Sequence, residues 1–346
     1  MEDFIMQKNL KTMMVSMVLV LSLVLTGCGQ NSSDTNTTSG NAGELATIRL
    51  GVMTSNISHQ YAILGQERGI YEKHGLNVEL TEYAAGINTV DALVTGQLDI
   101  GFVADFAGIN RIGNTSGESN LRFFAQLASS KLMQLYVNPD KIKELSDLKG
   151  KNIITLLGTV WEYWDAKTLE MAGLTADDVE YKAVESAQDG LAVANSGEGD
   201  AFWASGENVT RLKKYGWKPI LTQEDFDVAT YQIYMSNEEY LSKNQETVQK
   251  FLEATQEIID YLNNNLDEAA DIIYKKTGMS QEVFKNSVEA YDLRLDFDQK
   301  LYDGLKEIST WTYEAGYYTN QFELKNFIDT DALKAAYPDK VSWSAE

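Results

Sequence analysis

TIRLGVMTSNISHQYAILGQERGIYEKHGLNVELTEYAAGINTVDALVTGQLDIGFVA, residues 47–104, alternates short β-rich runs with helical ones. TIRLGVM (47–53) reads as a strand, and SHQYAILGQERG (58–69) as a helix that Ser58 caps and Gly69 stops. NVELTEYA (77–84) is a second strand, INTVDALVTG (87–96) a helix closed by Gly96, and DIGFVA (99–104) a buried strand. Strand, helix, strand, helix, strand predicts an α/β fold around a parallel sheet, not a helical bundle or a sandwich. Ligands of such sheets bind beyond the carboxyl ends of the strands.

Further along, LRFFAQLA (121–128) and LMQLYVN (132–138) are strand-like, and a second α/β set follows. KNIITLL (151–157) is a strand and GTVWEYWDA (158–166) opens a helix. VEYKAV (179–184), AQDGLAVANSG (187–197), DAFWAS (200–205) and NVTRLKKYG (208–216) then alternate strand and helix, before a strand at YQIYMS (231–236). Beyond it the pattern is almost wholly helical, with amphipathic segments at 237–276, 280–291 and 298–316. At 346 residues the chain exceeds what one core usually organises, and the two halves repeat one order, which predicts two similar lobes.

Lys and Arg number 29 against 51 Asp and Glu, a net charge of −22, which argues against nucleic-acid or anionic-membrane surfaces because both demand basic patches. Lys8 and Lys11 precede an apolar run, Met13 to Leu25, too short for a comfortable membrane span and suited to the core of a signal peptide. It ends in Leu25-Thr26-Gly27-Cys28, which resembles the lipobox of bacterial lipoproteins; that resemblance implies cleavage before Cys28, a diacylglycerol on its thiol and attachment to the cell membrane. Residues 1–27 are thus a lipoprotein signal peptide, and 28–46 a polar, flexible tether. With Cys28 the only cysteine and His59 and His74 the only histidines, neither a disulfide nor a Cys- or His-based metal site is expected.

The stretches GQERGIYEKHGLNVEL (65–80), AAGINTVDALVTGQLDIGF (84–102), ELSDLKGKNI (144–153) and SGEGDAFWASG (196–206), in that order, resemble the solute-binding proteins of ABC importers for sulfonates, taurine, nitrate and thiamine-type pyrimidines. The resemblance implies a periplasmic-binding-protein-like fold of type II: two α/β lobes, hinge crossovers and a helical C-terminal part. It places lobe 1 at 47–134 plus 235–346 and lobe 2 at 135–234, with crossovers near 132–138 and 230–236. It implies a monomer that closes around a small molecule and hands it to an ABC permease driven by its ATPase, outside the cytoplasm, without cofactor or metal.

Candidate binding residues follow from the strand-to-helix turns of that fold. Ser55, Asn56 and His59 sit at the first turn, where free amides and a positive dipole end suit an acceptor; Asn56 shaping the turn and His59 packing on the surface is the other reading. Gly86 permits close backbone approach at the next turn. Asp105 either accepts from a ligand amine or caps a helix, and Ser129 and Ser130 offer hydroxyls near the first crossover. Gly158 and Thr159 match the polar grip that the resemblance implies, whereas Val160 and Trp161 depart from it toward a flat or apolar ligand body. Trp164 lies three residues beyond Trp161. Trp203, Glu207 and Tyr231, with Trp161, are candidates for an aromatic cage.

Three functions compete on these residues. The first is solute capture for import, of an aromatic or heteroaromatic compound or of a sulfonate. The second is a ligand sensor acting through a separate signalling partner. The third is an enzyme like the pyrimidine-precursor synthases of this fold. Their cysteine-rich iron motif has no counterpart here, and no Ser/His/Asp, paired-carboxylate or phosphate-loop constellation is present, so a non-enzymatic role is expected.

Overall fold

Ile48, Leu50 and Val52 alternate along the first strand, but Gly51 and Met53 on the opposite face are buried too, because this strand is internal to its sheet and covered on both faces. The computed structural model describes residues 45–54, 56–115, 118–226 and 229–345. The signal-peptide assignment, the tether and Cys28 therefore lie outside the described residues, save that Ala46 already belongs to the first strand.

The strands are β1 (Ala46–Met53), β2 (Leu76–Tyr83), β3 (Ile100–Ala104), β4 (Leu121–Ser130), β5 (Gln134–Val137), β6 (Asn152–Leu156), β7 (Glu180–Val184), β8 (Ala201–Ala204), β9 (Lys218–Thr222), β10 (Thr230–Asn237) and β11 (Asp292–Asp296). Among the described residues they form a six-stranded sheet, ordered β11-β4-β10-β3-β1-β2, and a five-stranded one, ordered β7-β6-β8-β5-β9. In each, three parallel strands, β2-β1-β3 and β7-β6-β8, continue into antiparallel ones. The helices are α1 (Ile57–Glu67), α2 (Ile70–Lys73), α3 (Gly86–Val94), α4 (Asp105–Asn114), α5 (Val160–Ala172), α6 (Ala187–Ser196), α7 (Gly206–Lys214), α8 (Glu238–Lys243), α9 (Gln245–Asn264), α10 (Leu266–Thr277), α11 (Gln281–Glu289), α12 (Gln299–Glu314) and α13 (Asp331–Ala336). Among the described residues no helix is long and apolar enough to cross a membrane.

The two sheets repeat the strand-helix order expected from the sequence, yet the crossings fall earlier than expected. Gln134 already pairs with Ala204 and Thr222 in the second sheet, so the first crossing is 131–133 instead of 132–138. Thr230 already pairs with Ser130, and β10 is hydrogen-bonded on both sides within the first sheet, so the second crossing is 223–229 instead of 230–236. The two crossings are tied together by one buried side chain. Gln223 accepts from the Met133 N–H at 2.9 Å and donates to the Thr230 hydroxyl at 2.9 Å, while its own N–H reaches the Met133 carbonyl at 3.1 Å.

The C-terminal segment is not wholly helical. Its α9 buries Val248, Phe251, Leu252, Thr255, Ile258, Ile259 and Leu262 at helical spacing and packs beside α1 and α13. After α11, however, the acid-flanked Leu293 and Leu295 extend as β11 and add an edge to β4. Helix α4 entered the sequence reading only through the cap offered at Asp105, since DFAGINRIGN carries two glycines. Both are there for close approach: a side chain at Gly108 would collide with Phe123 and Met235, and one at Gly113 with Tyr318.

Candidate ligand-binding cleft

Six helices begin where six parallel strands end, and all six turns face one cavity of about 390 Å³. Thr54 and Asn56 come from the β1–α1 turn, Ala85 and Gly86 from β2–α3, and Ala104 from β3–α4. From the second sheet come Leu156 and Thr159 at β6–α5, Ser186 and Ala187 at β7–α6, and Ser205 at β8–α7. Ser130, Leu132, Met133, Thr230 and Gln232 line it beside the crossings, with Trp161 and Trp164 presented by α5. A second chamber of about 530 Å³ adjoins it, sharing Leu132, Gln188, Ser205, Asn208 and Tyr291.

No described residue lining the 390 Å³ cavity is charged. Its positive field therefore comes from helix amino ends, each equivalent to about half a charge. Those ends are not equally free. Asn56 accepts from the Ser58 N–H at 3.1 Å, and Ser186 from the Asp189 N–H at 3.2 Å. Thr159 accepts from the Trp161 N–H at 3.3 Å and donates to the Leu156 carbonyl at 2.8 Å. Glu162 then reaches back to the Gly158 N–H at 2.5 Å, so α5 carries its own carboxylate at its amino end. Burial pushes the Glu162 carboxyl up, against those amides. At α4, Asp105 accepts from the Phe106 N–H at 2.7 Å. The amino ends of α3 and α7, one from each sheet, have no side-chain cap and are the ones left for an anion.

The candidate residues divide accordingly. Asn56, Gly86, Thr159, Trp161 and Trp164 line the cavity, whereas Ser55 lies outside the described residues. Trp161 meets Phe202 edge-on at 4.9 Å, and Trp164 rests on Trp203 at 5.7 Å. His59 is drawn to Glu82 at 3.3 Å and does not line the cavity. Gly158 does not line it, although its neighbour Thr159 does, and has φ 73°, a backbone that disfavours side chains. Ser129 is buried facing away while Ser130 lines the cavity, as successive strand residues must.

The aromatic cage is not assembled. Trp203 is fully buried between Trp164 and Phe226. Tyr231 points to the opposite side of β10 from Thr230 and Gln232, where its hydroxyl donates to the Lys300 carbonyl at 3.3 Å. Glu207 is exposed, paired with Arg211 at 3.0 Å, and borders the adjoining chamber only. Asp105 is buried behind the cavity, where it also accepts from the Tyr231 N–H at 2.8 Å; burial pushes its carboxyl up to about 7 despite both amides. It joins α4 to β10 instead of offering a free carboxylate to a ligand amine.

Sequence reasoning missed Thr54, Gln188, Asn208, Thr230, Gln232 and Tyr291. A signal for Gln188 was present, since Ser186 caps α6 at the same kind of turn that drew attention to Thr159. Thr230 and Gln232 follow from strand alternation once the side occupied by Tyr231 is known.

A Bacillus subtilis (strain 168) protein named for aliphatic-sulfonate binding is 23% identical over 341 residues, covering 96% of this chain and 99% of its own. A 4-amino-5-hydroxymethyl-2-methylpyrimidine phosphate synthase of Aspergillus parasiticus is 26% identical over 229 residues, 59% of this chain and 63% of its own. Among solved structures, the alkanesulfonate-binding protein SsuA from Xanthomonas axonopodis pv. citri, bound to MOPS, superposes with a TM-score of 0.72. It is 15% identical and the match covers 83% of this chain and 99% of that one, which gives this chain the periplasmic-binding-protein fold. The NMT1/THI5-like family matches residues 56–269, most of both sheets and five of the six turns around the cavity in full, and the chain belongs to that family.

Proposed function

We propose that this protein is the extracytoplasmic solute-capturing component of an ABC importer, tethered by a lipid on Cys28. It holds a small organic anion of the sulfonate type, with a flat or apolar body, between its two lobes. The observation that carries this reading is the convergence of six helix amino ends, drawn from both sheets, on a cavity whose described lining residues include no charged side chain. The anionic head belongs between the uncapped ends of α3 and α7, and the body against Trp161. A ligand held by both lobes favours the closed state by the contacts it makes only there, with the crossings at 131–133 and 223–229 as the hinge. No described lining residue is Cys, His, Asp or Glu, which favours capture over turnover. Delivery to a permease with its ATPase is supported by the likeness to a protein of Methylobacillus flagellatus KT named as a sulfonate ABC transporter's periplasmic sulfonate-binding protein.

Calorimetric titration with alkyl- and arylsulfonates tests the reading. Sulfonates are expected to bind at least about a hundredfold tighter than the alcohols of the same carbon skeleton, since the helix ends reward charge. Trp161→Ala is expected to weaken an arylsulfonate by about tenfold or more and a short alkylsulfonate by less. Equal affinity for sulfonates and neutral alcohols would remove the anionic head from the proposal. A flat heteroaromatic ligand is the second reading, favoured by Trp161 and Trp164 on the cavity wall. It predicts that pyrimidines, not sulfonates, saturate the site. For the anchor, Cys28→Ser is expected to abolish incorporation of labelled palmitate; unchanged incorporation would count against lipidation.

A further inference from the structure

On the other side of α5 from Trp161 lies a separate cavity of about 520 Å³, within the roughly 300–1,000 Å³ typical of ligand pockets. The second sheet contributes Thr155 and Tyr181, α5 contributes Glu162, and Trp311 and Tyr317 come from α12 and the turn after it. The Trp311 and Tyr317 rings lie 5.3 Å apart. Tyr163, on α5, donates its hydroxyl to Glu307 at 3.0 Å and sets its ring edge against Trp311 at 4.8 Å, which fixes α12 beside α5.

The charge of this cavity is one-sided. No Lys or Arg is among its described lining residues. Glu170 is paired with Lys167 at 3.7 Å at the rim, whereas Glu162 forms no ion pair among the described residues. The Thr155 hydroxyl, fully buried in the wall, lies beside the buried Asp165 carboxyl. Aromatic faces and a half-buried carboxylate together reward a cation and reward a neutral or anionic guest far less.

We propose that this cavity binds an organic ammonium ion with an apolar body, its charge on Glu162 and its body against Tyr181, Trp311 and Tyr317. The site is distinct from the cleft, and an occupant ties α5 to α12.

Titration of the full chain with phenethylammonium chloride tests this, with phenethyl alcohol as the uncharged match. Saturable binding of the ammonium is expected, with the alcohol at least about tenfold weaker. Glu162→Gln is expected to weaken the ammonium by about tenfold or more while keeping α5 capped, because a glutamine at that position still accepts from the Gly158 amide. Tyr181→Leu, a change at a partly exposed ring, is expected to weaken it several-fold, and circular dichroism confirms that both variants fold. Trp161→Ala is expected to leave ammonium binding within about twofold, because that side chain faces the cleft. No saturable binding, undiminished binding by Glu162→Gln, equal binding of the alcohol, or loss on Trp161→Ala alone would each overturn the assignment. The last would place the amine in the cleft instead.

Discussion

Replacing Trp203 with alanine is expected to cost on the order of 3–5 kcal/mol of folding stability, read as a lower urea midpoint at an unchanged slope. The side chain is fully buried in β8, a strand with partners on both sides, and it supports Trp164 from behind at 5.7 Å and Phe226 at 6.0 Å. Its indole N–H makes no hydrogen bond, so nothing polar is lost on truncation and the cost is that of the void. Trp203→Phe is expected to recover most of the stability and to bind ligand within about threefold of the wild type, because the ring does not reach the cavity. A Trp203→Phe protein of normal stability that no longer binds would show that the ring contacts ligand after all.

Asp165→Asn is expected to stabilise the protein at alkaline pH and to do little at pH 4. Burial pushes the Asp165 carboxyl up to about 8, with the Thr155 hydroxyl beside it favouring the charged form and the Glu162 charge opposing it. A carboxyl whose folded-state pKa lies above its unfolded value binds its proton more tightly in the fold. Its stabilising contribution is complete below the ordinary aspartate pKa and is lost as pH rises through about 8. Asparagine cannot ionise, so the variant's advantage should grow across roughly pH 4 to 8 and level off at a few kcal/mol. Thermal midpoints of both proteins at pH 5 and pH 8.5 decide it, and an equal difference at the two pH values would mean that Asp165 does not titrate within the fold. Asp105→Asn should gain less, since Asp105 accepts from two backbone amides and asparagine has one acceptor oxygen for them.

The parallel halves of both sheets were legible because buried parallel strands and amphipathic helices carry strong and different periodicities. The strands that were missed are weak in that respect. Lys218–Thr222 contains Pro219 and Asp292–Asp296 only two leucines between acids; both lie at sheet edges, where fewer ladder bonds are demanded of the chain. The candidate site was legible as a set of turns, not as a set of side chains. The strand-to-helix junctions at Asn56, Gly86 and Thr159 were located from sequence and do face the cavity. Which of Ser129 and Ser130, or of Tyr231 and Gln232, faces it depends on the phase of a strand, and one residue reverses the answer. The engagement of the Gly158 amide was also out of reach of sequence. It depends on Glu162 folding back onto the amide of Gly158.

The early crossings also constrain the order in which the molecule can be made. All five strands of the second sheet lie between residues 134 and 222, whereas β3 of the first sheet must wait for β10, pairing Ala104 with Gln232. As the chain is synthesised from its amino end, one sheet has every strand it needs while the other still has a gap at its centre. Until residues 230–237 emerge, β3 presents an unpaired edge of buried-type residues, the kind of edge that invites pairing with another chain. That interval is the time during which a chaperone has most to protect.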